Sequence, residues 1–343
     1  MQLPEVIFGT SGLGNLYTIM PDEVKLAIVD EYIKATDTEK IPFFDTAGKY
    51  GAGLALESLG KCLSDLKIAP DKVLISNKLG WIRTPLLTPE PTFEPGVWKG
   101  LQYDAVQKIS YEGILECYDQ GNELLGEYTS DYVSVHDPDE YLAAAVDAKD
   151  EEKRYRDILG AYEALSELKQ QGRAQAIGVG AKNWRSIERI CKDVKLDWVM
   201  IANSVTVQSH PKELLQFMKK LDDKGIFSIN SAVFNAGFLT GGDFYNYKFV
   251  DQQTAWGSEL IAWRDAFYNI CAQFNIQPPA ACVKFGMAAP GVKSIAVSTT
   301  NPKRVASNIA LVSADIPDAF WQELNDKGLI TTEGLEIMLN KNE

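Results

Sequence analysis

A chain of 343 residues with 45% hydrophobic and 10% aromatic residues has ample material for a large core and none of the compositional marks of disorder. Its formal net charge of -13 argues against nucleic acid or an anionic membrane as partner, because either would repel the surface as a whole. The five cysteines, at 62, 117, 191, 271 and 282, show neither close pairing nor metal-ligand spacing, and an odd number cannot form a complete disulfide set. They read as reduced core residues, with no metal site. Residues 1–5 contain neither a basic leader nor an apolar stretch, and no run of about 20 apolar residues follows, so a cytoplasmic location is expected.

In chain order, an apolar strand over 6–10 runs into Ser11-Gly12-Leu13-Gly14, where the glycines let the backbone pass close to a ligand. Asp22 is placed to cap a helix over 23–35 that keeps Val24, Ala27, Ile28 and Ile33 at roughly helical spacing. The stretch Phe43-Phe44-Asp45-Thr46-Ala47-Gly48-Lys49-Tyr50-Gly51 reads as a buried strand breaking into a loop, with an acid at its start and a phenol five residues on. A helix over 54–66 follows, with Leu56, Leu59 and Leu63 on one stripe, and then a strand over 73–78 that ends in Lys78. From 83 to about 104 the chain carries Pro85, Pro89, Pro91, Pro95 and Gly96. A structureless loop of that length in a compact domain is usually functional, and its place after the third strand makes it a candidate lid.

A helix over 106–125 precedes a strand over 132–136 that His136 closes. The helix over 154–171 exits at Gly172, and a strand over 174–180 is followed by a helix from Trp184. A strand over 198–203, a helix over 211–224 and a strand over 227–234 lead to a loop over 235–251. Helical pieces over 256–274 and 278–288, a strand over 294–299 and a helix from Asn301-Pro302 to about 312 complete the pattern. Eight strand–helix units joined by right-handed connections predict an α/β fold, a (β/α)8 TIM barrel forming a single domain over 1–343. Residues 315–343 are then an extension packed outside the barrel or over one mouth.

Asp45, Tyr50, Lys78 and His136, in this order and each at or just past a strand end, resemble the catalytic tetrad of the aldo-keto reductase superfamily. Within it, Ser110-Tyr111-Glu112-Gly113-Ile114-Leu115, His136-Asp137-Pro138-Asp139 and Val233-Phe234-Asn235-Ala236-Gly237-Phe238-Leu239 are similar to the branch of D-threo-aldose 1-dehydrogenases, which includes L-fucose and L-galactose dehydrogenases. The likeness runs from about residue 9 to residue 308. Taken singly, Asp45 and Lys78 would be a structural ion pair, Tyr50 a rim aromatic and His136 a core histidine; four such residues in the family's order reverse that reading. His210, the other histidine, precedes Pro211 at a helix start and reads as structural.

The resemblance implies that Tyr50 exchanges a proton with the substrate oxygen. An unperturbed tyrosine titrates near ~10, and an ammonium beside the phenol favours the phenolate. Lys78 would supply that charge, Asp45 would hold Lys78 charged and aimed, and His136 would orient the reacting oxygen. Tyr50 then acts as base in oxidation and as acid in the reverse direction.

No strand-Gly-x-Gly-x-x-Gly-helix unit is present, so a Rossmann domain is not indicated. The resemblance implies NAD or NADP lying across the carboxyl face of the barrel, with Gly9, Thr10 and Asn203 among its contacts. Phe234, Asn235, Gly237 and Leu239 match the segment whose backbone meets the pyrophosphate, and Ser298, Thr299, Thr300, Arg304 and Asn308 match the adenosine end. Lys303 and Arg304 suit a 2'-phosphate, yet Ser298 stands where NADP-preferring members commonly carry a lysine, so both cofactors stay open. Gly178-Val179-Gly180-Ala181-Lys182-Asn183 departs from the Gly-Val-Ser-Asn of many members, and Asn203-Ser204 stands where a glutamine is common. Both departures fall on the expected nicotinamide contacts.

Tyr17, Trp81 and Trp98 are the side chains expected to shape a substrate pocket, and aromatic walls with a few polar groups suit a sugar ring. The branch implies oxidation of an aldose hemiacetal at C1 to the lactone, on a sugar of L-fucose, L-galactose or D-arabinose type. The partner is thus a small sugar or aldehyde, and oligomeric state is not legible. Rival readings are an NADPH-dependent aldehyde or ketone reductase, a pyridoxal 4-dehydrogenase, a glycoside hydrolase and a non-catalytic nucleotide-binding regulator.

Overall fold

The computed structural model describes residues 3–37, 39–246 and 248–340. The first apolar run forms β1 (Val6–Gly9), followed by α1 (Asp22–Ala35), β2 (Phe43–Ala47), α2 (Leu54–Asp65) and β3 (Leu74–Leu79). A hairpin of β4 (Trp81–Pro85) and β5 (Tyr103–Gln107) precedes α3 (Tyr111–Leu125), β6 (Tyr132–His136), α4 (Pro138–Ala143), α5 (Ala148–Gln170) and β7 (Ala176–Ala181). Next come α6 (Trp184–Asp193), β8 (Trp198–Ala202), α7 (Lys212–Asp223) and β9 (Phe227–Ser231). A small hairpin, β10 (Phe244–Tyr245) and β11 (Lys248–Phe249), is followed by α8 (Ala255–Gln273), α9 (Pro278–Ala288) and β12 (Val292–Val297). The chain ends with α10 (Val305–Ala310), α11 (Asp318–Asp326) and α12 (Thr332–Leu339).

Eight strands close into a barrel in the order β1-β12-β9-β8-β7-β6-β3-β2, the architecture expected from the sequence. The pairs β1–β2, β2–β3, β3–β6 and β6–β7 are parallel. Every residue of β2, β3, β6 and β7 is buried, as strands covered on both faces must be, and this explains their nearly unbroken apolar sequence. The register sets Ala47 opposite Lys78, Lys78 opposite Ser134 and His136 opposite Gly180, so the polar residues gather where these strands end.

The chain forms two compact units. The first comprises Met1–Ala181, Arg185–Met200 and Ala296–Ile309, and its core joins Phe8, Ile28, Tyr32, Phe44, Leu59 and Tyr128. The buried Tyr32 hydroxyl donates to the carbonyls of Val6 and Phe43, which ties α1 to both strands. The second comprises Lys182–Trp184, Ile201–Ile295 and Ala310–Glu343, with a core around Phe267, Phe285, Phe320 and Trp321. There α11 packs on α8 and α12 packs on α9. His210 is structural: its Nδ1 lies 3.0 Å from the Thr206 carbonyl and its Nε2 accepts the Thr331 N–H at 3.0 Å, which is the pattern of a neutral ring.

Several local expectations are corrected. The segment over 83–104 is not structureless, because β4 and β5 pair antiparallel from Trp81–Gln107 to Pro85–Tyr103 and only 86–102 form the tip. Tyr103–Gln107 pairs with β4 instead of opening a helix at 106, and the helix starts at Tyr111, where Ser110 accepts the Gly113 N–H. Asp104 organises the tip: its carboxylate accepts from the Thr92 N–H and hydroxyl and from the Phe93 and Ala105 N–H groups. Burial opposes its charge, but the bonds from Thr92, Ala105 and Phe93 hold the carboxyl below its ordinary range. Asp22 is not a cap; Pro21 takes that position and Asp22 lies in the first turn, facing the positive end of the helix dipole. The helix predicted over 154–171 begins earlier, at Ala148, with Asp147 as cap. The last barrel helix is a 3-10 turn, Pro302–Arg304, leading into the six-residue α10.

Candidate active site

Asp45 sits inside β2 and Lys78 inside β3, two pairs further along the register, so the lysine side chain folds back to reach the acid. Lys78 Nζ lies 2.5 Å from Asp45 Oδ2, and the two side chains are only 4% and 5% exposed. The second carboxylate oxygen accepts the Ser76 hydroxyl at 2.7 Å, and Lys78 also donates to the Thr46 carbonyl at 3.2 Å. Both charges are therefore paired and hydrogen-bonded, as buried ions must be. The ammonium lies 4.8 Å from the centre of the Tyr50 ring, and the His136 ring meets Tyr50 edge-on at 5.6 Å. The structure thus gathers all four tetrad positions around one phenol.

Gly180, one of the departures noted in the sequence, lies beside the lysine stem. A Cβ at this position would lie 3.1 Å from Lys78 Cδ, so the strand facing the lysine stem carries no side chain there. Thr10 is buried, and its hydroxyl donates to the Asp45 carbonyl, which fixes the strand from which the acid projects.

The three expected pocket aromatics separate. Trp98 is buried with its ring 5.8 Å from Tyr50, and Trp81 joins it through Phe93, at 5.9 Å and 6.5 Å. Tyr17 is 56% exposed and anchors the hairpin tip through its N–H to the Val97 carbonyl. Sequence reasoning missed Phe93 and Ser76, and gave no role to Lys49. Lys49 lies inside the motif itself and is 5% exposed, an unusual place for a lysine and the only signal that could have singled it out.

The cofactor positions can be tested against the structure. In the second unit, Asn203 and Asn235 adopt left-handed backbone, at φ 59° and 47°. Both are buried with Oδ1 lacking a hydrogen-bond partner among the described residues, which suits a polar ligand group. Gly237, at φ 93°, has open space where a Cβ would stand. The N–H groups of Gly237 and Leu239 both donate to the Phe234 carbonyl, and Leu239 is buried in the core. In the first unit, Ser298, Thr300 and Arg304 are exposed after β12, and Asn308 lies on α10. A Cβ at Gly9 would stand 3.6 Å from Ser298 Cβ, and one at Gly12 would stand 3.5 Å from Thr300 Cγ2. The Thr299 hydroxyl is engaged with the Asn301 N–H at 3.1 Å.

The sequence profile of the Aldo/keto reductase family matches residues 5–328. The chain belongs to that family. This aldo-keto reductase is 28% identical over 337 residues to pyridoxal 4-dehydrogenase from Microbacterium luteolum, covering 94% of this chain and 93% of the relative. It is 24% identical over 349 residues to D-threo-aldose 1-dehydrogenase from a Pseudomonas species, covering 97% and 96%. Among solved structures it is similar to aldo-keto reductase AKR11C1 from Bacillus halodurans in its holo form, with TM-score 0.67, 18% identity and 96% of each chain covered. It is also similar to glycerol dehydrogenase AKR11B4 from Gluconobacter oxydans, with TM-score 0.67, 15% identity and coverage of 94% and 91%. At those identities the solved structures establish the fold. As an aldo-keto reductase the chain is an oxidoreductase, which removes the glycoside hydrolase reading, and the family works with a nicotinamide nucleotide. Among the described residues no helix is long and apolar enough to cross a membrane, and no group of His, Cys, Asp and Glu is arranged to hold a metal.

Proposed function

We propose that this aldo-keto reductase dehydrogenates a cyclic hemiacetal to its lactone, the C1 hemiacetal of an aldose of L-fucose, L-galactose or D-arabinose type being the first candidate. The observation that carries this reading is the buried Lys78–Asp45 pair set against the Tyr50 ring with His136 edge-on to it. Tyr50, as its phenolate, takes the proton of the substrate's anomeric hydroxyl. A cation beside the ring favours the phenolate, and Asp45, 2.5 Å from Lys78 Nζ, is the counter-ion that holds the lysine head in place. His136 holds the same substrate oxygen and fixes its approach. The nicotinamide nucleotide, when bound, supplies the two-electron acceptor at the carbon that loses hydrogen.

Asn203, Asn235 and Gly237, with Phe234 and Leu239 framing the segment, are proposed as nucleotide contacts in the second unit, and Gly9, Thr10, Ser298, Thr299, Thr300, Arg304 and Asn308 as nucleotide contacts in the first. Trp81 and Trp98 are proposed as pocket walls, and the exposed Tyr17 is left at the rim. The second reading is pyridoxal, favoured by the 28% identical relative and by the aromatic cluster of Trp81, Phe93 and Trp98. The two substrates share one functional group, since pyridoxal also closes a cyclic hemiacetal through its neighbouring hydroxymethyl group. A panel of aldoses, pyridoxal and simple aldehydes, each with NAD and NADP in both directions, tests the proposal through the absorbance of reduced nicotinamide. Lactone formation from one or both hemiacetal classes is expected. Turnover confined to reduction of open aldehydes or ketones would instead favour the NADPH-dependent reductase.

A further inference from the structure

Lys49 precedes the phenol and is buried, and its ammonium is paired with a different set of acids from Asp45. Its Nζ lies 2.8 Å from Glu94 Oε1, 3.3 Å from Glu140 Oε2 and 3.6 Å from Asp137 Oδ2. The three carboxylates come from different places: Glu94 from the tip of the β4–β5 hairpin, Asp137 from the residue after His136, and Glu140 from α4. Burial works against the charge on Lys49, but Asp137, Glu94 and Glu140 outweigh it and hold its pKa above the ordinary value. A second link runs from the tip to the phenol. The other oxygen of Glu94 accepts the Trp98 indole N–H at 2.7 Å, and the Trp98 ring lies 5.8 Å from Tyr50. Glu94 itself is held at φ 45°, a left-handed conformation that a glutamate adopts only when its surroundings impose it.

We propose that Lys49 and Glu94 form a latch that fastens the hairpin tip beside the reacting phenol and sets the position of Trp98 as the wall against which the substrate ring lies. Lys49 and Glu94 are positioning residues: they act on substrate through Trp98 and touch no reacting atom. The latch ties one side of the pocket to the segment that carries His136, so the wall and the group orienting the substrate oxygen keep a fixed separation. Substrates presenting a flat or chair-like ring face fill that space, whereas short acyclic aldehydes do not reach the wall and depend little on it. This inference rests on the reading of Tyr50 as the proton-exchanging group.

The test compares K49M, E94Q and the double variant with the wild-type protein, using the best hemiacetal from the panel and a short acyclic aldehyde such as glyceraldehyde. Both single variants are expected to raise KM for the cyclic substrate about tenfold with kcat within about threefold, and to leave KM for the acyclic aldehyde nearly unchanged. The double variant is expected to be no worse than the worse single variant, since both break one link. Limited trypsin digestion reads the latch without turnover: cleavage at Lys99, inside the tip, should be faster in K49M and E94Q. E94Q, whose acid is partly exposed, guards against loss of folding in K49M. Unchanged KM and unchanged cleavage at Lys99 in E94Q would overturn the latch. If the wild-type protein turns over nothing on the panel, the proposed function fails, and the digestion still decides the latch.

Discussion

Lys78 Nζ and Asp45 Oδ2 stand 2.5 Å apart, on neighbouring parallel strands, with both side chains almost wholly withdrawn from water. Removing one partner leaves the other charge buried and uncompensated, which typically costs about 3–5 kcal/mol. D45N and K78M are therefore each expected to lower stability by an amount in that range and to abolish most activity. Urea unfolding followed by circular dichroism, alongside turnover, measures both. A D45N protein as stable and active as the parent would contradict the role given to the pair.

Gly180 offers a gentler perturbation of the same ammonium. G180A places a methyl group 3.1 Å from Lys78 Cδ, so the lysine stem must shift by a few tenths of an ångström while the strand stays intact. A loss of about tenfold in kcat, close to 1.4 kcal/mol, is expected with little change in KM or in unfolding temperature. Steady-state kinetics and a thermal melt separate this from general destabilisation.

His210 provides a pH signature in the second unit. Burial holds its pKa below the ordinary 6.5, although the Thr206 carbonyl and Glu333 pull the other way. The unfolded chain takes up this proton near pH 6.5 while the native ring resists it, so the native state binds fewer protons there. The contribution is fully present above that pH and is lost as the pH falls below it towards the folded pKa. H210Q should flatten the dependence of the urea midpoint between about pH 7.5 and 5.5. An unchanged slope would show that the ring titrates alike in both states.

The cysteines were read as reduced core residues. Burial pushes Cys62 and Cys117 up to about 11 and Cys271 up to about 12, and it raises Cys282 well above its ordinary value. All five are free thiols. At pH 8 these four should react with a disulfide reagent such as Ellman's reagent only after unfolding, because the attacking species is the thiolate. Mass spectrometry of the labelled native protein checks which thiols react.

The barrel was legible because buried parallel strands carry nearly continuous apolar runs, and because Asp45, Lys78 and His136 interrupt three of them, Asp45 in mid-strand and the other two near the strand ends. The antiparallel hairpin was not legible, since its strands are short, half exposed and bounded by prolines that resemble a plain loop. Asp104 looked like a loop acid, and only the folded backbone shows four hydrogen-bond donors converging on it. Lys49 was hidden for a related reason: its three carboxylates lie 45, 88 and 91 residues away in sequence, and no local pattern records such a convergence.

The most direct measurement of the central claim is the turnover of Y50F, at saturating hemiacetal substrate and nucleotide, with nucleotide affinity measured in parallel by fluorescence. If the phenol exchanges the proton under the influence of Lys78, kcat falls by about 10²–10⁴ while nucleotide binds as before. A Y50F protein that keeps most of its kcat would show that the proton leaves by another route.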